Sequence, residues 1–293
     1  MDSLDRLDRE NLALGGFVKS YASRPEAVRL DGSHTSIRES AVATLLSVIP
    51  GDRGGVHLMD VCCGEAALAE GLMRSMDNTK IGQVHYLGVD QERWYINRNR
   101  SRRASFAHFG GFEVELCEVS GLSGLQHRPE GGFDLAVLCN TLHEIPPRFF
   151  PMMFDALNSL LKVPSGLLYL IDMETLPDDS PESIAIMWNQ EEVVGMLRAG
   201  GLTAASTVHH KSVDVCSVVI EYSASGVDQE GMKRKIVEIL SSKLHRVIEE
   251  RRGVELDLET RNGEYRKWVV LTGTIARCAE ELDALRLERW PEV

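Results

Sequence analysis

The sequence predicts an α/β protein built on a doubly wound, mostly parallel sheet of seven strands, with N-terminal helices and a C-terminal α+β extension. Apolar, strand-like runs alternate with helix-like segments between residues 56 and 199, which is the pattern of repeated βα units. Residues 133–139 are almost continuously apolar, as expected for a central parallel strand covered on both faces. Only residues 211 and 212 separate the last two strand-like runs, so these strands are predicted to be antiparallel.

Three regions are predicted along the chain. Residues 1–55 form a helical cap, residues 56–225 form the α/β core, and residues 226–293 form an extension outside that core. The extension is predicted to be a helix, a hairpin with its turn at Asn262-Gly263, and a closing helix, because its first part is amphipathic at helical spacing and Asn-Gly is a frequent hairpin turn.

Composition and charge narrow the class of protein. The chain has 293 residues and a formal net charge of -12, which disfavours broad nucleic-acid binding. Six cysteines lie mostly in apolar runs without a C-x-x-C pair, so neither a disulfide framework nor a metal site is expected. The first ten residues alternate Asp and Arg with Leu, and no apolar run is long enough to span a bilayer. We therefore expect a cytoplasmic protein without a membrane partner.

The chain is organised around residues 56–69, which have the pattern of a buried strand, a tight turn and a helix start. Unpaired amides at a helix start favour an anionic group. Gly64 lets a ligand approach the backbone. Asp60, at the end of the strand, would repel a pyrophosphate and suits a ligand with positive charge and amine donors.

The run DVCCGEA at residues 60–66 resembles the first motif of class I S-adenosylmethionine-dependent methyltransferases, an acid followed by three glycines at alternate positions. Gly64 matches the middle glycine, and Cys62 and Ala66 are small substitutes for the others. The resemblance implies a Rossmann-like methyltransferase fold for residues 56–225, with S-adenosylmethionine as the cofactor. Asp60, Cys62, Gly64 and Ala66 are then its first candidate ligands.

Two further strand ends fit this resemblance. Asp90, followed by Gln91, ends the second strand, where an acid is placed to accept both hydroxyls of a ribose. Alternatively, Asp90 caps the helix that follows. Glu118 and Val119 end the third strand, and in the resembling family this pair holds the adenine, with the acid accepting its exocyclic amine.

The segment NTLHEI at residues 140–145 resembles the N-x-L-H-x-I/L loop of many small-molecule methyltransferases. The resemblance implies that Asn140 meets the methionine part of the cofactor and that Glu144 faces the acceptor. His143 is the candidate general base, since its ordinary pKa lies near neutrality. Alternatively, His143 only holds the loop.

Further polar residues lie near the expected site. In the family, helices before the first strand often cover the cofactor and substrate, so Tyr21 and Arg38 are candidate substrate residues, with Arg38 as a partner for a carboxylate. A solvent-facing arginine is the alternative. Asp172 and Glu174 follow the fifth strand, where either can bind an amine or belong to a solvated loop.

The resemblance implies transfer of a methyl group by in-line displacement, most simply to an oxygen or nitrogen atom of a small molecule. One alternative is a non-catalytic binding or regulatory protein that kept the fold, because two motif glycines are replaced. Others are an RNA or protein methyltransferase and a nicotinamide oxidoreductase, the last disfavoured by Asp60 and the missing G-x-G-x-x-G. The extension is a candidate homodimer contact, and its basic residues keep nucleic acid open as a partner.

Overall fold

The computed structural model of the protein describes residues 32–49, 54–174, 185–210, 215–251 and 258–280. Between residues 56 and 199 strands alternate with helical segments, as predicted, and two consecutive strands and then two helices follow. None of the helices in these ranges combines the length and apolar character that crossing a membrane requires.

Seven strands form one sheet in the order β3-β2-β1-β4-β5-β7-β6. The five strands β1 to β5 are parallel, whereas β7 is antiparallel to both β5 and β6. The doubly wound sheet and its antiparallel ending are therefore confirmed. The strands are β1 (Val56–Val61), β2 (Val84–Asp90), β3 (Gly111–Leu116), β4 (Leu135–Cys139), β5 (Leu167–Met173), β6 (Ala204–His210) and β7 (Val215–Glu221).

Helices lie on both sides of the sheet. Three short 3-10 segments, Arg103–Phe106, Val119–Gly124 and Pro147–Phe149, join some of the elements. The helices are α1 (Gly32–Val48), α2 (Ala67–Ser75), α3 (Asn78–Ile81), α4 (Arg93–Ser101), α5 (Phe150–Leu160), α6 (Gln190–Ala199), α7 (Gln229–Arg251) and α8 (Leu258–Glu280).

The core has two layers because alternate side chains of each buried strand point to opposite faces of the sheet. On one face, Met59 and Leu138 pack in a cluster with α5, α6, α7 and α8. On the other face, Leu58 and Val137 pack in a cluster with α1 and α2. Strands β1, β2 and β4 are buried on both faces, which explains their nearly continuous apolar sequences.

The strand register places the predicted site residues at one edge of the sheet. Asp60 of β1 is opposite Gly88 of β2 and Val137 of β4, and Asp90 is opposite Leu116 of β3. All five parallel strands therefore end at the same edge, which is where open α/β sheets bind ligands.

The prediction of a hairpin in the extension is wrong. Asn262 and Gly263 lie inside helix α8, and the described residues of the extension from Gln229 onward are helical. The reason is the spacing of Leu271, Ile275 and Cys278, which places all three on one helix face in the same core cluster as the sheet. A separate two-stranded hairpin would lack such a partner. Residues 252–257 and 281–293, and with them parts of the predicted hairpin and closing helix, lie outside the described residues.

Candidate active site

The turn after β1 keeps the backbone shape that three glycines would favour. Cys62, Gly64 and Ala66 all have left-handed φ values of 58°, 51° and 59°. The two non-glycine residues bear a cost of about 1 to 2 kcal/mol each in this conformation. A Cβ added at Gly64 would meet nothing within 4 Å, so open space adjoins the turn. The Ala66 methyl group is fully buried in the core and leaves that space clear.

Asp90 and Asn99 hold the turn in place. The Asp90 carboxylate accepts hydrogen bonds from the amides of Gly64 at 2.9 Å and Glu92 at 2.8 Å, and the Asn99 amide donates to the Gly64 carbonyl at 2.8 Å. Asp90 therefore holds the segment between β2 and α4, but the N-cap residue of α4 is Glu92, so the interpretation of Asp90 as the helix cap is wrong. A carboxylate oxygen accepts more than one hydrogen bond, so ribose binding stays compatible with this geometry. Gln91 is exposed.

Asp60 is a buried acid directly below the turn. It is 3% exposed, and the Tyr86 hydroxyl donates a hydrogen bond to its carboxylate at 2.6 Å. Burial raises the pKa of Asp60 to about 6, although the Tyr86 hydrogen bond and the positive charge of Arg38 oppose that rise. Near neutral pH this site therefore holds a negative charge that burial disfavours, which a cationic ligand group would stabilise.

Arg38 of helix α1 extends toward the same place. Its side chain is 13% exposed. Burial raises the pKa of the Cys139 thiol at the end of β4, and the positive charge of Arg38 opposes this rise, as it does for Asp60 at the end of β1. The Nε of Arg38 is buried without a hydrogen-bond partner, and its Nη2 lies 4.0 Å from the Glu39 carboxylate. A buried guanidinium with unused donors suits an anionic ligand group.

The other side of the turn faces the loop after β4. Burial raises the pKa of the Cys62 thiol, and the charges of Asp90 and Glu144 raise it further. Burial also raises the pKa of Tyr95, with further contributions from Asp90, Glu65 and Glu144. The Thr141 hydroxyl is buried and, as a hydrogen-bond partner of the Cys62 thiol, opposes the rise in that pKa. The charges of Asp90, Glu144 and Asp60 thus all act on the Cys62 thiol, which places these groups near one another.

His143 lies inside the protein. Its side chain is 1% exposed, and its Nδ1 lies 2.6 Å from Oδ1 of Asp172. The His143 amide donates to Oδ2 of the same carboxylate at 3.2 Å. This geometry favours the interpretation that His143 holds the loop. The solvated-loop interpretation of Asp172 is wrong because this side chain is buried, and Glu174 accepts from the amide of Gln190.

The remaining predicted residues are less closely joined to the site. Glu118 is exposed, and the Ser120 hydroxyl donates to its carboxylate at 3.4 Å. Val119 beside Glu118 packs against the core. Asn140 has a left-handed φ of 51°, and its backbone N–H donates a hydrogen bond to the Ile171 carbonyl at 2.8 Å. Tyr21 lies outside the described residues.

Three residues of the site were missed by the sequence analysis: Tyr86, Asn99 and Thr141. Tyr86 shares a sheet face with Asp60 through strand alternation, which is a usable signal once the register is known. Asn99 is a polar residue in a helix, where nothing in the pattern indicates that it reaches Gly64.

No protein-family model matches the sequence, and no curated protein sequence matches it. Many solved structures resemble the fold. The pyocyanin biosynthetic protein PhzM aligns with a TM-score of 0.51 at 13% identity over 71% of this chain and 62% of its own. The PH0226 protein from Pyrococcus horikoshii OT3 aligns with a TM-score of 0.50 at 15% identity over 70% of this chain and 99% of its own.

A third structure, the CurJ carbon methyltransferase, aligns with a TM-score of 0.48 at 15% identity over 65% of this chain and 54% of its own. This chain thus spans less than two thirds of the length of PhzM and of the CurJ structure. At these identities the likeness to PhzM and PH0226 extends to the fold alone. The strand order with its antiparallel ending is that of the Rossmann-like class I methyltransferase fold.

Proposed function

We propose that this chain is an S-adenosylmethionine-dependent methyltransferase acting on a small-molecule oxygen or nitrogen nucleophile. The observation that carries the proposal is a buried carboxylate, Asp60, and a buried guanidinium with an unpartnered Nε, Arg38, beside the open, left-handed turn at Gly64. The two charges match the ammonium and carboxylate groups of a free amino acid, which the methionine part of this cofactor carries.

The residues present fit that cofactor. Arg38 would hold the carboxylate, and Asp60 would favour the neighbouring positive charges. Asp90 with Gln91 would serve the ribose, and Glu118 with Val119 the adenine. Cys62 and Asn140 would border the methionine part, whereas Ala66 is fully buried in the core and contributes only to the shape of the turn. When bound, the cofactor supplies a methyl group on a sulfonium leaving group, so the protein must mainly orient the two reactants.

The burial of His143 changes which residue we expect to contact the methyl acceptor. A ring that is 1% exposed and bonded to Asp172 orients the loop at residues 140–145 and does not present itself to an acceptor. Glu144 stays exposed on that loop, and its charge acts on both Cys62 and Tyr95. We therefore assign the contact with the acceptor to Glu144, which can also accept a proton from a hydroxyl or ammonium group.

The alternative of a non-catalytic protein rests on the two replaced glycines. At Ala66 the added methyl group packs in the core and adds no bulk to the cleft, which weakens that argument. A nucleic-acid acceptor is also less favoured, because Lys233, Lys235 and Lys243 of the extension form ion pairs with glutamates.

Calorimetric titration with S-adenosylhomocysteine, the demethylated product, tests the proposal directly. We expect binding by the wild-type protein and at least tenfold weaker binding by Gly64→Val and Asp90→Ala. A valine at φ 51° strains the turn, and the loss of Asp90 removes its hydrogen bonds. The control Glu191→Gln alters an exposed glutamate on α6 and should bind normally.

Methyl transfer is then followed with labelled S-adenosylmethionine and cell extract, with small molecules, RNA and protein separated afterwards. Label in the small-molecule fraction is expected. Label in RNA or protein would redirect the acceptor assignment. A wild-type protein that binds neither form of the cofactor, but is stabilised thermally by NAD, would overturn the proposal.

A further inference from the structure

Helix α1 is fixed to helix α2 at one close contact. The Glu39 side chain of α1 is 12% exposed and accepts from Nη2 of Arg74 at 3.1 Å. It lies directly against Gly71 of α2, where an added Cβ would be 1.9 Å from the Glu39 carboxyl carbon. Gly71 thus makes the room that the carboxylate occupies. The carboxylate oxygen Oε1 pairs with Arg74 at 3.1 Å and lies 4.0 Å from Nη2 of Arg38.

This contact connects Arg38 to the turn after β1. Arg38 precedes Glu39 on α1, and α2 begins at Ala67 directly after the left-handed residue Ala66. Fixing Glu39 to α2 therefore fixes the start of the Arg38 side chain relative to the turn. Because an arginine side chain loses considerable rotamer entropy when it is ordered, a guanidinium that is already confined binds a carboxylate at a lower entropic cost.

We propose that Glu39, Gly71 and Arg74 are positioning residues that hold the Arg38 guanidinium over the ends of β1 and β4, so that the cleft selects nucleosides carrying an α-carboxylate. The inference rests on the proposed function, because it assigns Arg38 to the amino-acid end of the cofactor. It adds that selectivity for this end depends on the packing of α1 against α2, outside the glycine motif.

Two ligands distinguish positioning of Arg38 from a general contribution to the structure of the cleft. S-adenosylhomocysteine carries an amino-acid end, whereas 5′-methylthioadenosine has the same adenosine and thioether without it. The affinity of each is measured by calorimetry for the wild-type protein and for Glu39→Gln, Gly71→Ala and Arg38→Met. A hydrogen-bonded charge pair contributes about a tenfold to hundredfold factor in affinity, so the ratio of the two affinities should be well above one in the wild-type protein.

Arg38→Met should lower affinity for S-adenosylhomocysteine about tenfold or more and change affinity for 5′-methylthioadenosine by less than about twofold. Glu39→Gln keeps the shape of the side chain and should lower the ratio at least about threefold, because its ion pairs with Arg74 and Arg38 are lost. The double variant of Arg38 and Glu39 should lose no more than Arg38→Met alone, since the two act through one contact.

The matched control is Glu70→Gln. It removes a second glutamate–arginine pair of helix α2, that of Glu70 with Arg102, and should leave the ratio of the two affinities unchanged. Equal losses for both ligands in Glu39→Gln, or an unchanged ratio, would overturn the inference while leaving the proposed function standing. A wild-type protein that binds neither ligand would overturn the proposed function and the inference with it. Thermal melts of each variant check that the fold is intact. If Gly71→Ala does not fold, the affinity ratio of Glu39→Gln alone tests the inference.

Discussion

At the scale of single residues, the buried charge of Asp60 lowers the stability of the fold and favours binding of a cationic ligand. Its pKa is about 6 in the folded protein, whereas an aspartate in an unfolded chain has a pKa near 4. Between pH 4 and pH 6 the folded state therefore binds more protons than the unfolded state, and the free energy of unfolding falls as the pH rises. Above pH 6 the full cost of the buried charge is present. A cationic ligand stabilises the ionised form and offsets this cost.

Asp60→Asn should therefore make the protein more stable and the site weaker. At pH 7.5 we expect the free energy of unfolding to rise by about 3 kcal/mol, from a shift of about two pKa units at about 1.4 kcal/mol each, because an amide oxygen still accepts from Tyr86. Affinity for S-adenosylhomocysteine should fall at least tenfold. Urea unfolding measured from pH 4 to pH 8 checks the first expectation and should show the two proteins converging near pH 4. A variant less stable than wild type at pH 7.5 would contradict it.

At the scale of elements, the pair of His143 and Asp172 joins the loop after β4 to the end of β5. Both side chains are nearly inaccessible, at 1% and 2% exposed, and Asp172 also accepts from the Met173 amide at 2.8 Å. Removing one partner would leave the other buried without its main hydrogen bond, which costs more than an exposed pair contributes. The geometry of the loop therefore depends on this pair.

We expect His143→Ala to lower the free energy of unfolding by about 3 kcal/mol, and the double variant with Asp172→Asn to lose much less than the sum of the single changes. Urea unfolding and the resulting double-mutant cycle measure this coupling. His127→Ala is the matched control, since the His127–Glu115 pair has a similar distance of 2.8 Å but a 46% exposed histidine, and it should cost less than about 1 kcal/mol. Loss of methyl transfer in a fully stable His143→Ala would instead favour its role as a base.

At the scale of the whole molecule, the extension and the sheet share one core. Met232, Ile236 and Leu240 of α7 are buried in the cluster that covers one face of the sheet, together with Leu271 and Ile275 of α8. Residues that contribute to a common apolar core lose their burial together when either part unfolds. The predicted division at residue 226 therefore does not separate two cores within the described chain.

Leu240→Ala tests this shared core. Leu240 is fully buried, so the change should lower the free energy of unfolding by about 3 kcal/mol and shift a single transition. Circular dichroism and tryptophan fluorescence, recorded during the same urea titration, should give coincident curves. The control Val163→Ala removes a side chain that is 64% exposed and should change stability by less than about 0.5 kcal/mol. Two separate transitions, only one of them moved by Leu240→Ala, would show an independent extension.

The sequence by itself determined the succession of strands, the antiparallel ending of the sheet and the edge at which the site lies. These features follow from local information. Hydrophobic spacing distinguishes a strand from a helix, short connections require antiparallel neighbours, and parallel strands end at a common edge. For the same reason Asp60, Gly64 and Asp90 could be placed together before any contact was known.

Only the tertiary structure decided which of these side chains face the open space and which lie inside. His143 is buried against Asp172, Asp60 is paired with Tyr86, and Glu39 fixes α1 against Gly71. Each contact joins residues about 26 to 32 positions apart, and no periodicity encodes such a pairing. The prediction of a turn at Asn262-Gly263 was wrong for the same kind of reason. Burial of Leu271, Ile275 and Cys278 of α8 in the common core outweighs a local turn preference.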